Sequence, residues 1–93
     1  MPLFVRLFTN TAPRSEFERH MEGHLAYLRE LVAEGKLRYA GPFADGTGGI
    51  EILQMKDRIE AQETMRRDPF VVNGLGVYEL REFRDILGDL PQR

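Results

Sequence analysis

The chain has 93 residues, a formal net charge of -2, 42% hydrophobic and 30% charged residues, and no cysteine. These values are typical of one small folded domain, and they exclude disulfide frameworks, thiolate zinc sites and a cysteine nucleophile. Basic residues are scattered among acidic ones, so nucleic acid is not an expected partner, and a core this small gains stability by burying a face against a second copy.

A strand and a long helix are the first two predicted elements. Residues 3–8 are rich in β-forming side chains, and the apolar run is broken at Arg6, so it is too short for a signal peptide or a membrane span. Ser15 and Glu18 form a capping box in front of a helix that ends at Gly35. The apolar residues at helical spacing are Phe17, Met21, Leu25, Leu28 and Val32. A cytoplasmic location is expected.

Two further strands, a second helix and a last strand follow. The strands are predicted at 37–43 and 50–55, with a hairpin loop at 44–49, and the last strand at 77–83. Asp57 and Glu60 repeat the capping pattern for a shorter helix that ends near Asp68 and Pro69. An acidic tail at 84–93 closes the single domain that we predict over 1–93.

The element order β-α-β-β-α-β predicts a ferredoxin-like α+β fold, in which two helices cover one face of a four-stranded antiparallel sheet. On the first strand, Phe4 and Phe8 point to one side, while Leu3, Val5 and Leu7 point to the other. An uncovered face should be polar in a monomer. The apolar second face therefore predicts a homodimer with two sheets packed face to face.

His20 and His24 lie one turn apart on the first predicted helix. At about 100° per residue, with Leu28 at the centre of the apolar stripe, His24 projects about 40° from that centre and His20 about 80°. His24 is expected to point inward, as an ordinary core histidine also does. The spacing also allows both imidazoles, with Glu16, to bind a metal, but such pairs often arise by chance.

Asp68 is a second candidate, because it continues the inner face that Ala61 and Met65 form on the second helix. An Asp before Pro69 is also the usual sign of a helix cap, whose carboxylate accepts backbone N–H groups. The two roles are compatible. A carboxylate bonded to one nitrogen of His24 would fix the tautomer and make the other nitrogen a base near neutral pH.

The remaining motifs are weaker. The glycine-rich residues 46–49 lack the Lys-Ser or Lys-Thr pair of a phosphate loop and join two strands, so a hairpin is expected. Arg6, Arg38 and Arg81 interrupt apolar strands and could line a cleft for an anionic group, although surface exposure is the more common arrangement. No Gly-x-Ser-x-Gly elbow is present, which disfavours covalent catalysis.

The chain resembles the YCII-related (YciI-like) family over nearly its whole length. The resemblance rests on residues 24–28, 35–37, 41–43, 48–50, 68–71, 78–80 and Phe83. It implies a dimeric α+β barrel and an active site in which His24 and Asp68 form a pair. One branch of the family removes chloride from a chlorinated hydroxylated aromatic ring, and the wider superfamily includes muconolactone isomerases and monooxygenases that act without metals. The resemblance gives no role to His20, Arg6 or Arg38.

Two hypotheses follow. The first is a lyase or isomerase for small aromatic or lactone-like molecules, with His24 as general acid/base, Asp68 as its orienting carboxylate, and a pocket near Gly41 and Pro42. In this hypothesis no cofactor and no metal is expected. The alternative is a non-catalytic module that binds a small molecule or partner through the same cleft, or an accessory dimer that serves as a subunit beside an enzyme in a pathway.

Overall fold

The computed structural model describes residues 1–87, and the last part of the predicted tail, 88–93, lies outside the described residues. The elements follow the predicted order, with one additional short helix before the last strand. They are β1 (Leu3–Asn10), α1 (Arg14–Ala33), β2 (Leu37–Pro42), β3 (Gly48–Gln54), α2 (Arg58–Met65), α3 (Pro69–Val72) and β4 (Gly76–Phe83).

The four strands form one antiparallel sheet in the order β2-β3-β1-β4, which is the ferredoxin-like order. The predicted α+β fold is therefore confirmed. At the centre of the sheet, Arg6 of β1 lies opposite Glu51 of β3 on one side and opposite Leu80 of β4 on the other. Among residues 1–87, no helix is long and apolar enough to cross a membrane.

The core lies between the sheet and the helices α1 and α2. The larger cluster joins Phe4 of β1 to Leu31 of α1 and Met65 of α2, all with 0% exposure. Full burial of such a side chain contributes about 1.5–3 kcal/mol. A smaller cluster of Phe8, Phe70 and Leu75 packs α3 against the end of the sheet. This second cluster borders the residues that the sequence singled out.

The two ends of α1 differ in how well the sequence predicted them. Gly35 ends the helix as predicted, with φ at 72°, and its N–H and that of Lys36 bond to the last free carbonyls. The capping box at the start is wrong. Pro13 holds the N-cap position without a side-chain hydrogen bond, and Glu18 forms an exposed ion pair with Arg14. Pro13 already fixes an extended backbone before the first turn.

The buried face of α1 is rotated relative to the predicted one. Tyr27 and Leu31 are buried, whereas Leu28, the predicted centre, is only half-buried. Three members of the predicted stripe are exposed: Met21 (40%), Leu25 (40%) and Val32 (60%). At 100° per residue, His24 lies only about 20° from Leu31, so it is closer to the centre than predicted. The apolar spacing predicted the wrong centre of the buried face because Met21 and Leu25 line a cleft and are not part of the core.

The hairpin between β2 and β3 is confirmed, although β3 begins two residues earlier than predicted, at Gly48. A Cβ at Gly48 would lie 1.7 Å from the carbonyl oxygen of Phe8, so only glycine allows the strands to pair here. The cap of α2 is also as predicted, because the Asp57 side chain accepts a hydrogen bond from the N–H of Glu60 at 2.8 Å.

The sheet face without helices is apolar, as the alternation in β1 predicted. Leu3 and Val5 are half-buried there, and Leu7 is 37% exposed. By strand register, Tyr39 and Val77 share this face, at 70% and 62% exposure. An exposed apolar sheet face of this kind typically packs against another protein surface. The homodimer therefore stays a prediction with a defined interface.

Candidate active site

His24 is held in place from two sides. Its Nδ1 lies 2.8 Å from Oδ1 of Asp68, and its ring stacks on Phe70 at 3.9 Å with 8° between the planes. The side chain of His24 is 12% exposed. The structure thus brings the two predicted site residues together and fixes the ring orientation. Their catalytic role stays a prediction.

Asp68 accepts hydrogen bonds from three directions. Oδ1 receives the N–H of Phe70 at 3.0 Å as well as His24, and Oδ2 receives Nη1 of Arg6 at 2.5 Å. The predicted cap is confirmed, with Pro69 at the first position of α3. Burial by itself would raise the pKa of Asp68, but the His24 hydrogen bond and the Arg6 charge outweigh it and hold this pKa below its usual value.

An ionised Asp68 sets the tautomer of His24. A carboxylate only accepts hydrogen bonds, so Nδ1 carries the proton in the neutral imidazole and Nε2 keeps a free lone pair. Among the described residues, no group hydrogen-bonds Nε2. The ring also lines a cleft. This arrangement leaves one imidazole nitrogen available as a general base.

Arg6 and Glu51 extend the cluster across the sheet. Nη2 of Arg6 lies 2.5 Å from Oε2 of Glu51, and the residues are 3% and 2% exposed. The hydroxyl of Tyr27 donates to the other Glu51 oxygen at 3.3 Å. Burial is the largest cause of the raised pKa of Glu51; Arg6 opposes this rise and Asp68 adds to it. Burial and the nearby Glu51 charge likewise raise the pKa of Tyr27.

A cleft of about 1020 Å³ opens between α1 and the sheet, near Gly41 and Pro42 as predicted. His24 lies on its helix side, and Arg6 and Glu51 lie on its sheet side. Its apolar wall includes Phe8, Phe17, Met21, Leu25, Leu28 and Phe70. A mostly apolar cleft with a few convergent polar groups is the usual form of a site for a small organic molecule.

The cluster does not fit a metal ion. One atom each of His24, Glu51 and Asp68 lie within 4.8 Å of one another, which is a suitable ligand spacing. The guanidinium of Arg6 contacts both carboxylates, however, and already supplies the positive charge there. His20 lies outside this group, with its Nδ1 3.4 Å from the side-chain nitrogen of Asn73. We derive no step from a metal.

The arginine predictions had mixed outcomes. Arg38 and Arg81 are exposed, and Arg38 donates to Gln54 at 2.9 Å. For Arg6 the common expectation of exposure is wrong. It alternates in phase with Phe4 and Phe8, which already pointed to the helix-covered face.

Three members of the site were not predicted as site residues from the sequence: Glu51, Tyr27 and Phe70. One signal was available for Glu51, since an acid in phase with the buried Leu53 predicts a partner of opposite charge on a neighbouring strand. Tyr27 follows His24 by three residues on α1 and Phe70 follows Asp68 by two, so proximity along the chain was the available signal for these two residues.

Comparison with known proteins identifies a family that matches this chain and a relative of similar sequence. Residues 3–85 match the sequence model of the YCII-related domain. The uncharacterised protein YjpA of Bacillus subtilis (strain 168) is 34% identical over 67 residues, which are 72% of this chain and 79% of that protein. This relative is similar across most of both chains.

Two solved structures share the fold. One is the 5-chloro-2-hydroxyhydroquinone dehydrochlorinase TftG from Burkholderia phenoliruptrix AC1100, in complex with 2,5-dihydroxybenzoquinone. Its TM-score is 0.75 at 24% identity, with 88% of this chain and 93% of that chain covered. The other is SnoaB, a cofactor-independent oxygenase from Streptomyces nogalater, with a TM-score of 0.51 at 15% identity and coverage of 90% and 91%.

Proposed function

The chain belongs to the YCII-related domain family, and from this premise we propose that it is an enzyme that transfers protons on a small organic substrate. The observation that carries the proposal is the 2.8 Å contact between His24 Nδ1 and Asp68 Oδ1 in the wall of the apolar cleft. The reaction is of the lyase or isomerase type, with His24 as general acid/base and Asp68 as its orienting carboxylate.

The substrate class follows from the cleft. Its wall is aromatic and aliphatic, which favours a planar molecule with few charges, and His24 reaches it from one side. A dehydrochlorinase and a cofactor-independent oxygenase share this fold. The first of these names describes the loss of hydrogen chloride, which includes the loss of a proton. Hydroxylated aromatic and lactone-like compounds are therefore the first candidates.

The test is proton exchange at carbon. Hydroxylated quinones, beginning with 2,5-dihydroxybenzoquinone, and lactones are incubated with the protein in D₂O, and deuterium uptake is followed by NMR. We expect exchange with the wild-type protein on at least one probe. His24→Ala should lower its rate about 10²-fold or more, which is the usual contribution of a positioned acid/base group. Asp68→Asn should also lower it, because the tautomer is then no longer fixed.

His20→Ala is the matched control, since it removes the same side chain one turn away on α1 and outside the cluster. It should exchange at the wild-type rate. Exchange that survives His24→Ala unchanged would show that another group moves the proton. A probe that binds and raises the melting temperature without any exchange would favour the alternative of a non-catalytic binding module.

A further inference from the structure

Among the described residues that line the cleft, Glu51 is the one acidic side chain, and it faces His24 from the sheet side. Charged and titratable groups approach it from three elements: Arg6 from β1, Tyr27 and His24 from α1, and Asp68 from the start of α3. Unlike Asp68, it receives little directed hydrogen bonding. Tyr27 donates to Oε1, while Oε2 has a close charge contact with Arg6 that lacks hydrogen-bond geometry.

The charges of the cluster do not balance when both carboxylates are ionised and the imidazole is neutral. Arg6 then contributes one positive charge against two negative ones, in a group whose side chains are at most 12% exposed. A net charge in such surroundings is costly, and one bound proton removes it. Asp68 is a poor carrier for that proton, because three donors already bond its oxygens.

We propose that Glu51 is the second proton carrier of the site and shares a single proton with His24, so that the two groups serve a bound substrate from opposite sides of the cleft. The raised pKa of Glu51 and the lowered pKa of Asp68 agree with this division of roles. The role of Glu51 in a reaction rests on the proposed function. The shared proton does not, because it is present in the protein without substrate.

The arrangement suits enolisable carbonyl compounds. Neutral His24 takes a proton from the carbon beside the carbonyl, and the C–H electron pair forms the C=C bond of the enol. The carbonyl oxygen takes the proton of Glu51. The substrate has lost one proton and gained another, and the site has become imidazolium and carboxylate. The return of both protons, with His24 protonating a different carbon, completes an isomerisation. The cluster keeps the same net charge throughout, which avoids charge separation in a poorly solvated cleft.

The experiment is a carboxyl titration of the whole chain labelled with ¹³C at the glutamate side chains. Glu51 is assigned as the resonance lost in Glu51→Gln. An ordinary glutamate titrates at about pH 4.3, and we expect the midpoint of Glu51 to lie above this value because burial disfavours its charged form. In His24→Ala the midpoint should rise further, because Glu51 then holds the proton alone.

Two controls are built into the chain. His20→Ala should leave the midpoint of Glu51 where it is, and the signal of the exposed Glu63 of α2 should be the same in every variant. A Glu51 with the midpoint of an ordinary glutamate, or with the same midpoint in His24→Ala as in the wild-type protein, overturns the inference.

A variant that fails to fold does not block the test. If His24→Ala is unfolded, His24→Asn decides, since it removes the imidazole and keeps a side-chain donor for Asp68. A higher Glu51 midpoint in His24→Asn than in the wild-type protein supports the shared proton, and an unmoved one overturns it. The titration uses no substrate. A failure of all probes to exchange would therefore count against the proposed function alone, and turnover with an ordinary Glu51 midpoint would count against this inference alone.

Discussion

Arg6 contacts both of the carboxylates that surround it at the centre of the sheet. Glu51 and Asp68 both lie 2.5 Å from its guanidinium, and among the described residues its Nε is left without a hydrogen-bond partner. Buried ion pairs often add little net stability, but the loss of one partner leaves an uncompensated charge in a poorly solvated place. The main contribution of Arg6 is therefore the positive charge that it places beside the two carboxyl groups.

Replacement of Arg6 should be strongly destabilising. We expect Arg6→Met to lower the free energy of unfolding by about 3–5 kcal/mol, because it leaves two buried carboxylates without a cation. Urea denaturation measures the change. The control is Arg81→Met, which removes an exposed ion pair with Glu79 and should cost about 1 kcal/mol or less. Equal losses in the two variants would contradict the role given to Arg6.

Asp68 and Glu51 should affect the acid stability of the protein in opposite directions. The folded pKa of Asp68 is lowered, so the unfolded chain binds its proton more readily; this contribution is fully present above the unfolded pKa of about 3.9 and is lost as the pH falls through the folded pKa. The folded pKa of Glu51 is raised, so its contribution declines as the pH rises above about 4.3.

The pH dependence can be checked by urea unfolding from mildly to strongly acidic pH. Asp68→Asn should flatten the loss of stability below about pH 4, because the titrating group is removed. Glu51→Gln should instead remove the decline above that pH. A stability profile of Asp68→Asn parallel to that of the wild-type protein would show that this carboxyl has the same pKa in both states.

The two capping patterns in the sequence, one at α1 and one at α2, had different outcomes in the structure. Asp57 caps α2 through the Glu60 N–H, and Glu60 returns a bond to the N–H of Lys56 at 3.1 Å. Ser15 is part of an equally good sequence pattern, yet α1 starts before it and its side chain makes no cap. The difference lies in Pro13, which takes the N-cap position two residues earlier.

Matched alanine variants test this difference. Asp57→Ala should cost about 1 kcal/mol, because the first turn of α2 loses its acceptor. Ser15→Ala should change stability by less than about 0.5 kcal/mol, as expected for an exposed position that does not cap the helix. Thermal or urea unfolding of both variants gives the comparison. If Ser15→Ala lowered the free energy of unfolding as much as Asp57→Ala, Ser15 would act as a cap of α1, contrary to the structure.

At the scale of the whole molecule, the helices cover only one face of the sheet. The other face is apolar along its centre, and Leu7, Tyr39 and Val77 are exposed on it. A second copy of the chain would cover this face with an identical one, and the two sheets would then enclose a common core. A chain of 93 residues has a modest core of its own, so such burial would add substantially to its stability.

A charge on that face should separate the predicted dimer. Leu7→Arg places a cation in the centre of the proposed interface, and sedimentation should show a fall from twice the mass of one chain to a single mass. Ile59→Arg is the matched control, because Ile59 is 66% exposed on α2 in the helix layer. It should leave the mass unchanged. A wild-type protein that sediments as a monomer would rule out the dimer directly.

Features that depend on neighbours along the chain could be predicted from the sequence. These include the element order, the Gly35 stop, the Asp57 cap and the cap that Asp68 forms before Pro69, because capping, turn and alternation signals act over a few residues. The inward position of His24 also followed from helical periodicity.

The composition of the site depends on contacts between segments that lie far apart in the chain. The register of β1 against β3 sets Arg6 beside Glu51, and the packing of α1 and α3 against the sheet brings Tyr27 and Asp68 to the same pair. These residues are distant in sequence, and no local preference joins them. The strand register and helix rotation thus turned a pair of candidate residues into a five-residue cluster of His24, Asp68, Arg6, Glu51 and Tyr27.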